Sequence, residues 1–323
     1  MELIQETMDY RERFVNFLKS FQDKKGAFKY RDAIAQMASS GRTSLVIDFD
    51  DLISYDPDLA IELKEKPASV LPKANLAISD AMRAENMDYA AKVKEFKARF
   101  RRLDEVIPLR ALKSSFMGKL IMVEGIITRA SIIKQLLKVA VFQCPKCGEK
   151  MKMEQTGTVL VMPPQCTNPD CARKGFFRLI PEESTFVDWQ MIQLQERPEE
   201  LPPGQLPRSI ECVLQGDIVD VTRPGDRVYV VGILQAKQEF TSKGFRLATF
   251  STGIDANYIE ISEKGTEEIQ ISPEDERAIK ELSKDPLLYQ KIFSSIAPSI
   301  YGYEEIKEAI AYQLVGGVTK VMP

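Results

Sequence analysis

The chain of 323 residues contains no histidine. That removes the commonest general base, every histidine-dependent triad or Cys-His dyad, and any mixed His/Cys metal site. Apolar runs approaching the roughly 20 residues needed to cross a bilayer are also missing, and Met1 to Tyr10 is too polar for a signal peptide. The sequence therefore predicts an intracellular protein with no membrane partner. Positive charge is not in excess: 44 Lys and Arg face 47 Asp and Glu, for a net charge of −3. No global field exists to hold a polyanion, so any such contact must come from local basic clusters. What is present is 44% hydrophobic residues, enough for roughly two cores and too much for a disordered chain.

Four of the five cysteines carry the sharpest signal. Cys144-Pro-Lys-Cys147-Gly148 and Cys166 to Cys171 form C-x2-C, eighteen intervening residues, then C-x4-C. Two close pairs joined by a short excursion let four thiolates converge on one ion. Paired disulfides are disfavoured inside a cell, and a redox C-x-x-C leaves the second pair unexplained. The spacing predicts a Zn2+ site on Cys144, Cys147, Cys166 and Cys171, structural because four thiolates leave no position for water. The fifth, Cys212, alternates with Ile210 and Leu214 and reads as an inert buried thiol.

Periodicity divides the rest. Helical spacing recurs over 10–21, 29–39, 57–65 and 73–91, punctuated by Pro57, Pro67 and Pro72, with a short extended stretch at Ser44 to Phe49. From Val93 the character turns to strand, with runs at 119–129, 176–180, 185–193, 208–213, 227–234 and 245–258. Such short strands predict a small barrel of the OB type. The expected fold class is α+β: a helical bundle over 1–91, a barrel from 92–143 and 177–270, a zinc-ribbon-like insertion at 144–176, and helices over 271–323 that read as a lead-in to a further domain. Between Glu196 and Pro207, prolines interleaved with acids preclude a regular element and predict a long, semi-rigid loop.

Basic residues fall in three sets. Lys237, Lys243 and Arg246 cluster on a hairpin at about 237–250, built around Thr241 to Gly244, and suit a phosphate backbone as well as plain solubility. Arg129, Lys134 and Lys138 lie in and after the first barrel strand. The run Lys92 to Arg102 is denser, but Phe96, Ala98 and Phe100 alternate with its charges as on a half-buried edge strand. Phe186, Trp189, Tyr229 and Phe250 sit in alternating patterns and read as core, which weighs against a stand-alone single-strand-binding protein with stacking aromatics.

Phe177-Arg-Leu-Ile-Pro-Glu182, Asp188-Trp-Gln190, Gln195 to Glu200, Gly204 to Arg208, Arg223-Pro-Gly-Asp-Arg227 and Ser295 to Gly302 together resemble the minichromosome maintenance (MCM) family of replicative helicases, in its archaeal form, in the family's order. The resemblance implies an N-terminal unit that assembles as a hexamer or double hexamer, or as a filament, around single- or double-stranded DNA, with other replication proteins as partners. It implies DNA contacts at Arg129 and Lys134 and a channel hairpin carrying Lys243 and Arg246, beside which Lys237 is the further candidate from the residue pattern. Thr185 departs from relatives that carry lysine there. The loop with Glu196, Arg197, Gln205 and Leu206 would couple this unit to an ATPase motor. ATP and Mg2+ would belong to that motor, whose phosphate-binding loop does not occur before Pro323, so this fragment is expected not to be an enzyme. The expected location is the cytoplasm or nucleoid of an archaeon. A ring would also reconcile an acidic chain with a polyanion, because each inward cation repeats once per subunit. The rivals are a stand-alone OB-fold protein with a zinc ribbon, and a purely architectural ring.

Overall fold

The computed structural model describes residues 2–23, 26–155, 157–197, 206–240, 246–262, 273–298 and 300–317. The chain divides into two compact units, Met1–Glu263 and Lys264–Pro323.

The first unit opens with α1 (Glu2–Ser20), α2 (Lys29–Ser40), β1 (Ser44–Asp48), α3 (Phe49–Tyr55), α4 (Pro57–Glu65), α5 (Pro67–Glu85), α6 (Met87–Lys92) and β2 (Lys97–Arg101). Local chemistry sets several boundaries. Gly41, at φ 68°, closes α2 in the left-handed conformation that costs glycine little. The Asp56 side chain caps α4 through the Leu59 N–H, with Pro57 in the first turn where no N–H is needed. Pro72, expected to punctuate, lies inside α5; burial of Val70, Ala74, Ala77, Ile78, Ala81 and Met82 along that helix outweighs the lost hydrogen bond.

β2 differs from the expectation in a way that matters below. It pairs in parallel with β1, and Phe96, Ala98 and Phe100 pack in the same core as Phe14, Phe17 and Ile47. The helical region's core thus continues past residue 91, because β2 finds its ladder partner in β1.

The remaining strands are β3 (Leu120–Ala130), β4 (Lys134–Gln143), β5 (Lys150–Glu154), β6 (Arg178–Leu179), β7 (Thr185–Gln195), β8 (Ser209–Gln215), β9 (Arg227–Phe240) and β10 (Arg246–Ile261). They pair in the order β3-β9-β10-β8-β7-β4-β5, and β3 also pairs β7, so five strands form a circuit. Its interior holds Val123, Ile127, Ile192, Leu194, Cys212, Leu214, Val230, Leu234 and Ile254. Strand alternation turns Leu120, Met122 and Val231 outward, where they join the helical core. Gly232 permits a close approach of β9 to β10: a Cβ there would lie 2.5 Å from the Asp255 carbonyl oxygen. β4 was not among the expected strands, because Leu136 to Phe142 is a nearly continuous apolar run without strict alternation.

In the second unit, α7 (Pro273–Leu282), α8 (Leu288–Ser295) and α9 (Glu304–Val315) fall close to the helices expected there. No helix among the described residues is long and apolar enough to cross a membrane.

Candidate metal centre and nucleic-acid interface

β4 and β5 present the first cysteine pair. The Gly148 N–H bonds back to the Cys144 carbonyl, and Gly148 takes φ 77°, which folds a tight knuckle between the strands. The second pair is shaped by Asn168, whose carbonyl accepts the N–H groups of Cys171 and Ala172. All four Sγ atoms lie within 4.8 Å of one another, with Cys147 to Cys166 at 3.5 Å and Cys144 to Cys171 at 3.8 Å, and none forms a disulfide. A tetrahedral ion with sulfur at about 2.3 Å separates its ligands by about 3.8 Å, so the cluster fits a metal ion.

The thiols are electrostatically at odds without one. Backbone N–H groups, Cys147's first, hold Cys144 down at about 6. The Glu149 N–H also lowers Cys147, yet desolvation and then the neighbouring thiols push it up to about 12. Four adjacent sulfurs do not all ionise unless a cation is shared among them. A small apolar cluster of Ala140, Phe142, Met151 and Phe177 backs the site, too little to fold the insertion unaided. Cys212 is apart from all this, fully buried in the strand circuit and pushed up to about 12 by that burial.

Of the basic residues, Arg129 and Lys134 are exposed. Arg129 of β3 stands opposite Gln193 of β7 and Lys134 of β4 opposite Trp189, so both lie on the sheet face that Gln193 and Trp189 share, their β7 partners four residues or about 13 Å apart. The Lys134 ammonium lies over the Trp189 ring at 5.8 Å from its centroid, a cation–π contact that positions it. Lys237 reaches across Gly253 to Glu211 at 3.0 Å, and is therefore held in an ion pair. Lys243 lies outside the described residues, and the Arg246 side chain does too, although its backbone begins β10 opposite Phe240.

Within the run Lys92 to Arg102, two of the cations are held in structural pairs. Arg99 is 4% exposed and donates to the carbonyls of Asn257 and Gln215 and to Asp217, while Arg101 pairs with Asp48 at 2.5 Å. Two of the aromatic assignments need correction: Phe186 is 41% and Phe250 54% exposed, because β7 and β10 run beyond the region that the core covers. Trp189 and Tyr229 are half-buried.

At the loop, Glu196 is buried and receives both arms of the Arg110 guanidinium at 3.0 Å, together with the Arg208 N–H. Arg110 outweighs burial and holds the Glu196 carboxyl below the usual range. Arg197 pairs with Glu124 at 3.1 Å, and Leu206 is 89% exposed. Gln205 lies outside the described residues. Arg110 escaped sequence reasoning because nothing periodic surrounds it. The same holds for Asp217, which sits in a single short turn.

A helical domain followed by an OB-type strand domain with a four-cysteine insertion defines a class, and family models specify it. Residues 11–102 match the MCM N-terminal domain, 108–238 the MCM OB domain, and 275–323 the MCM P-loop domain. The chain belongs to the MCM family. It is 39% identical over its full length to "Minichromosome maintenance protein MCM" of Saccharolobus solfataricus, covering 47% of that protein. It is 31% identical over 95% of its length to "DNA replication licensing factor Mcm2" of Drosophila melanogaster and 32% to that of Xenopus tropicalis, covering 35% of each. The chain thus spans less than half the length of these relatives. The P-loop match covers the helices of the second unit.

Proposed function

We propose that this chain is the DNA-binding and assembly region of a replicative helicase, acting as a ring, a hexamer or double hexamer, or a helical filament, around single- or double-stranded DNA. In this reading the closed strand circuit is the OB barrel, and Arg129 and Lys134 take strand phosphates. The observation that carries it is the placement of those two cations, on β3 and β4, on one sheet face beside β7, within a sequence matching the MCM OB domain. Lys243 and Arg246 would add hairpin contacts; Lys237 would do so only by leaving Glu211.

Zn2+ held by Cys144, Cys147, Cys166 and Cys171 would staple the insertion, with no catalytic role, since four thiolates complete its coordination. The Glu196–Arg110 pair anchors one end of a loop, with Arg197, Gln205 and Leu206, that would transmit motions to an ATPase motor using ATP and Mg2+. Phosphoryl chemistry would reside in that motor, not in the residues of the first unit.

Assembly and DNA binding are tested together by measuring particle mass with and without oligonucleotide. The reading predicts multiples of the 36.5 kDa chain and a gain in assembly on DNA. A lone subunit at every concentration, with or without DNA, would overturn it.

A further inference from the structure

Between α5 with β2 and the outward face of the strand circuit lies a cleft of about 310 Å³, lined by Glu95, Lys97, Arg99, Lys138, Gln215 and Asp255 among others. Three of those six side chains are cations. Arg99 is committed to Asp217 and two backbone carbonyls. The ammonium groups of Lys97 and Lys138 make no hydrogen bond or ion pair among the described residues, although both side chains are partly buried. Burial and then the adjacent Arg99 pull Lys97 below the ordinary lysine range, with Lys138 adding to the repulsion. Glu95 and, more weakly, Asp217 attract Lys97 without bonding to it, so two like charges leave water with no hydrogen-bonded counter-charge, which is costly unless an anion joins them. Asp255, itself raised by burial, is the carboxylate facing both lysines.

The cleft also continues the basic face. Gln215 is the register partner of Trp189, and Trp189 that of Lys134. A strand laid along β7 past Arg129 and Lys134 is thereby led across Gln215 toward Lys138 and Lys97.

We propose that this cleft is a phosphate-binding site in which the ammonium groups of Lys97 and Lys138 hold the anion and Arg99, fixed by Asp217, forms the wall. A phosphodiester of a DNA strand is the occupant that the continuity favours, and this part rests on the DNA-binding reading above. Free phosphate or pyrophosphate offers the same chemistry. Asp255 opposes the anion and sets its affinity.

The test uses the full chain, with pyrophosphate followed by phosphorus NMR line broadening and thermal shift, and a fluorescein-labelled oligothymidylate followed by anisotropy. Four proteins are compared: the natural sequence, Lys97→Gln with Lys138→Gln, Asp255→Asn, and Arg129→Ala with Lys134→Ala. Losing two charge-assisted contacts should weaken pyrophosphate binding by about tenfold or more in the Lys97/Lys138 variant. Its melting temperature without ligand should stay level or rise, since repulsion is relieved. Asp255→Asn should bind pyrophosphate more tightly, a gain that a merely structural role does not produce. A parallel loss of oligonucleotide affinity in the Lys97/Lys138 variant identifies the strand as occupant, whereas loss confined to pyrophosphate identifies a free anion. The site is overturned if pyrophosphate neither broadens nor stabilises the natural protein, or binds all variants equally. Unchanged oligonucleotide affinity in the Arg129/Lys134 variant would count against the DNA-binding reading alone, leaving the pyrophosphate result to judge the cleft.

Discussion

Replacing Arg99 by methionine tests how the helical region is fastened to the strands. The guanidinium is 5% exposed in its side chain and serves three acceptors, the carbonyls of Asn257 and Gln215 and the Asp217 carboxylate. Breaking a buried ion pair from one side costs about 3–5 kcal/mol, because the abandoned charge stays desolvated. Asp217 retains 33% side-chain exposure, so water relieves part of that, and about 2–4 kcal/mol is expected. For a unit of this size the melting temperature should fall by roughly 5–15 °C. Chemical denaturation of Arg99→Met, Asp217→Asn and the double variant gives the coupling, expected to exceed about 1 kcal/mol.

The pH dependence follows the same pair. Burial alone would raise the Asp217 carboxyl, but Arg99 outweighs it and holds the group below the usual carboxylate range. A carboxyl depressed on folding contributes stability that is full above its unfolded pKa and is lost as pH falls through the folded value. The natural protein should show that acid loss and Asp217→Asn should lack the corresponding part. A cost under about 1 kcal/mol for Arg99→Met, with no coupling, would show that this pair does not fasten the helical region to the strands.

Other outcomes follow from single contacts. Gly232→Ala puts a methyl 2.5 Å from the Asp255 carbonyl oxygen and from Ile254 Cγ2, and should cost about 3 kcal/mol in chemical denaturation, at the upper end for overpacking. Phe186→Ala and Phe250→Ala, both at exposed sites, should each change stability by no more than about 0.5 kcal/mol; larger losses would restore them to the core. Elemental analysis should find one zinc per chain, and Cys144→Ser should lose it with local unfolding around Phe142 and Phe177; a metal-free protein with a folded insertion would contradict the site.

The sequence was most legible where chemistry depends on local spacing. Two cysteine pairs at short intervals come together because each knuckle is a turn of a few residues, closed by Gly148 or by Asn168. Cys212 followed from alternation with Ile210 and Leu214 on β8. What depended on distant partners was hidden. Arg99 looks like one more charge in a basic run, and only the approach of Asn257 and Asp217, more than a hundred residues away, makes it an anchor. β2 reads as an edge strand of whichever sheet follows it, yet its partner is β1, upstream. Phe186 and Phe250 obey the strand period, but the period does not reveal where the core ends. β4 carries so many apolar residues in succession that its own alternation was masked.

If Arg129 and Lys134 together grip strand phosphates on the sheet face beside β7, the salt dependence of oligonucleotide affinity must report it. Single strands lose about 0.7 in log K per log unit of salt for each phosphate neutralised, so Arg129→Ala with Lys134→Ala should flatten the slope by about 1.4 and lower affinity at low salt. A slope and affinity equal to those of the natural protein would remove both residues from the DNA contact.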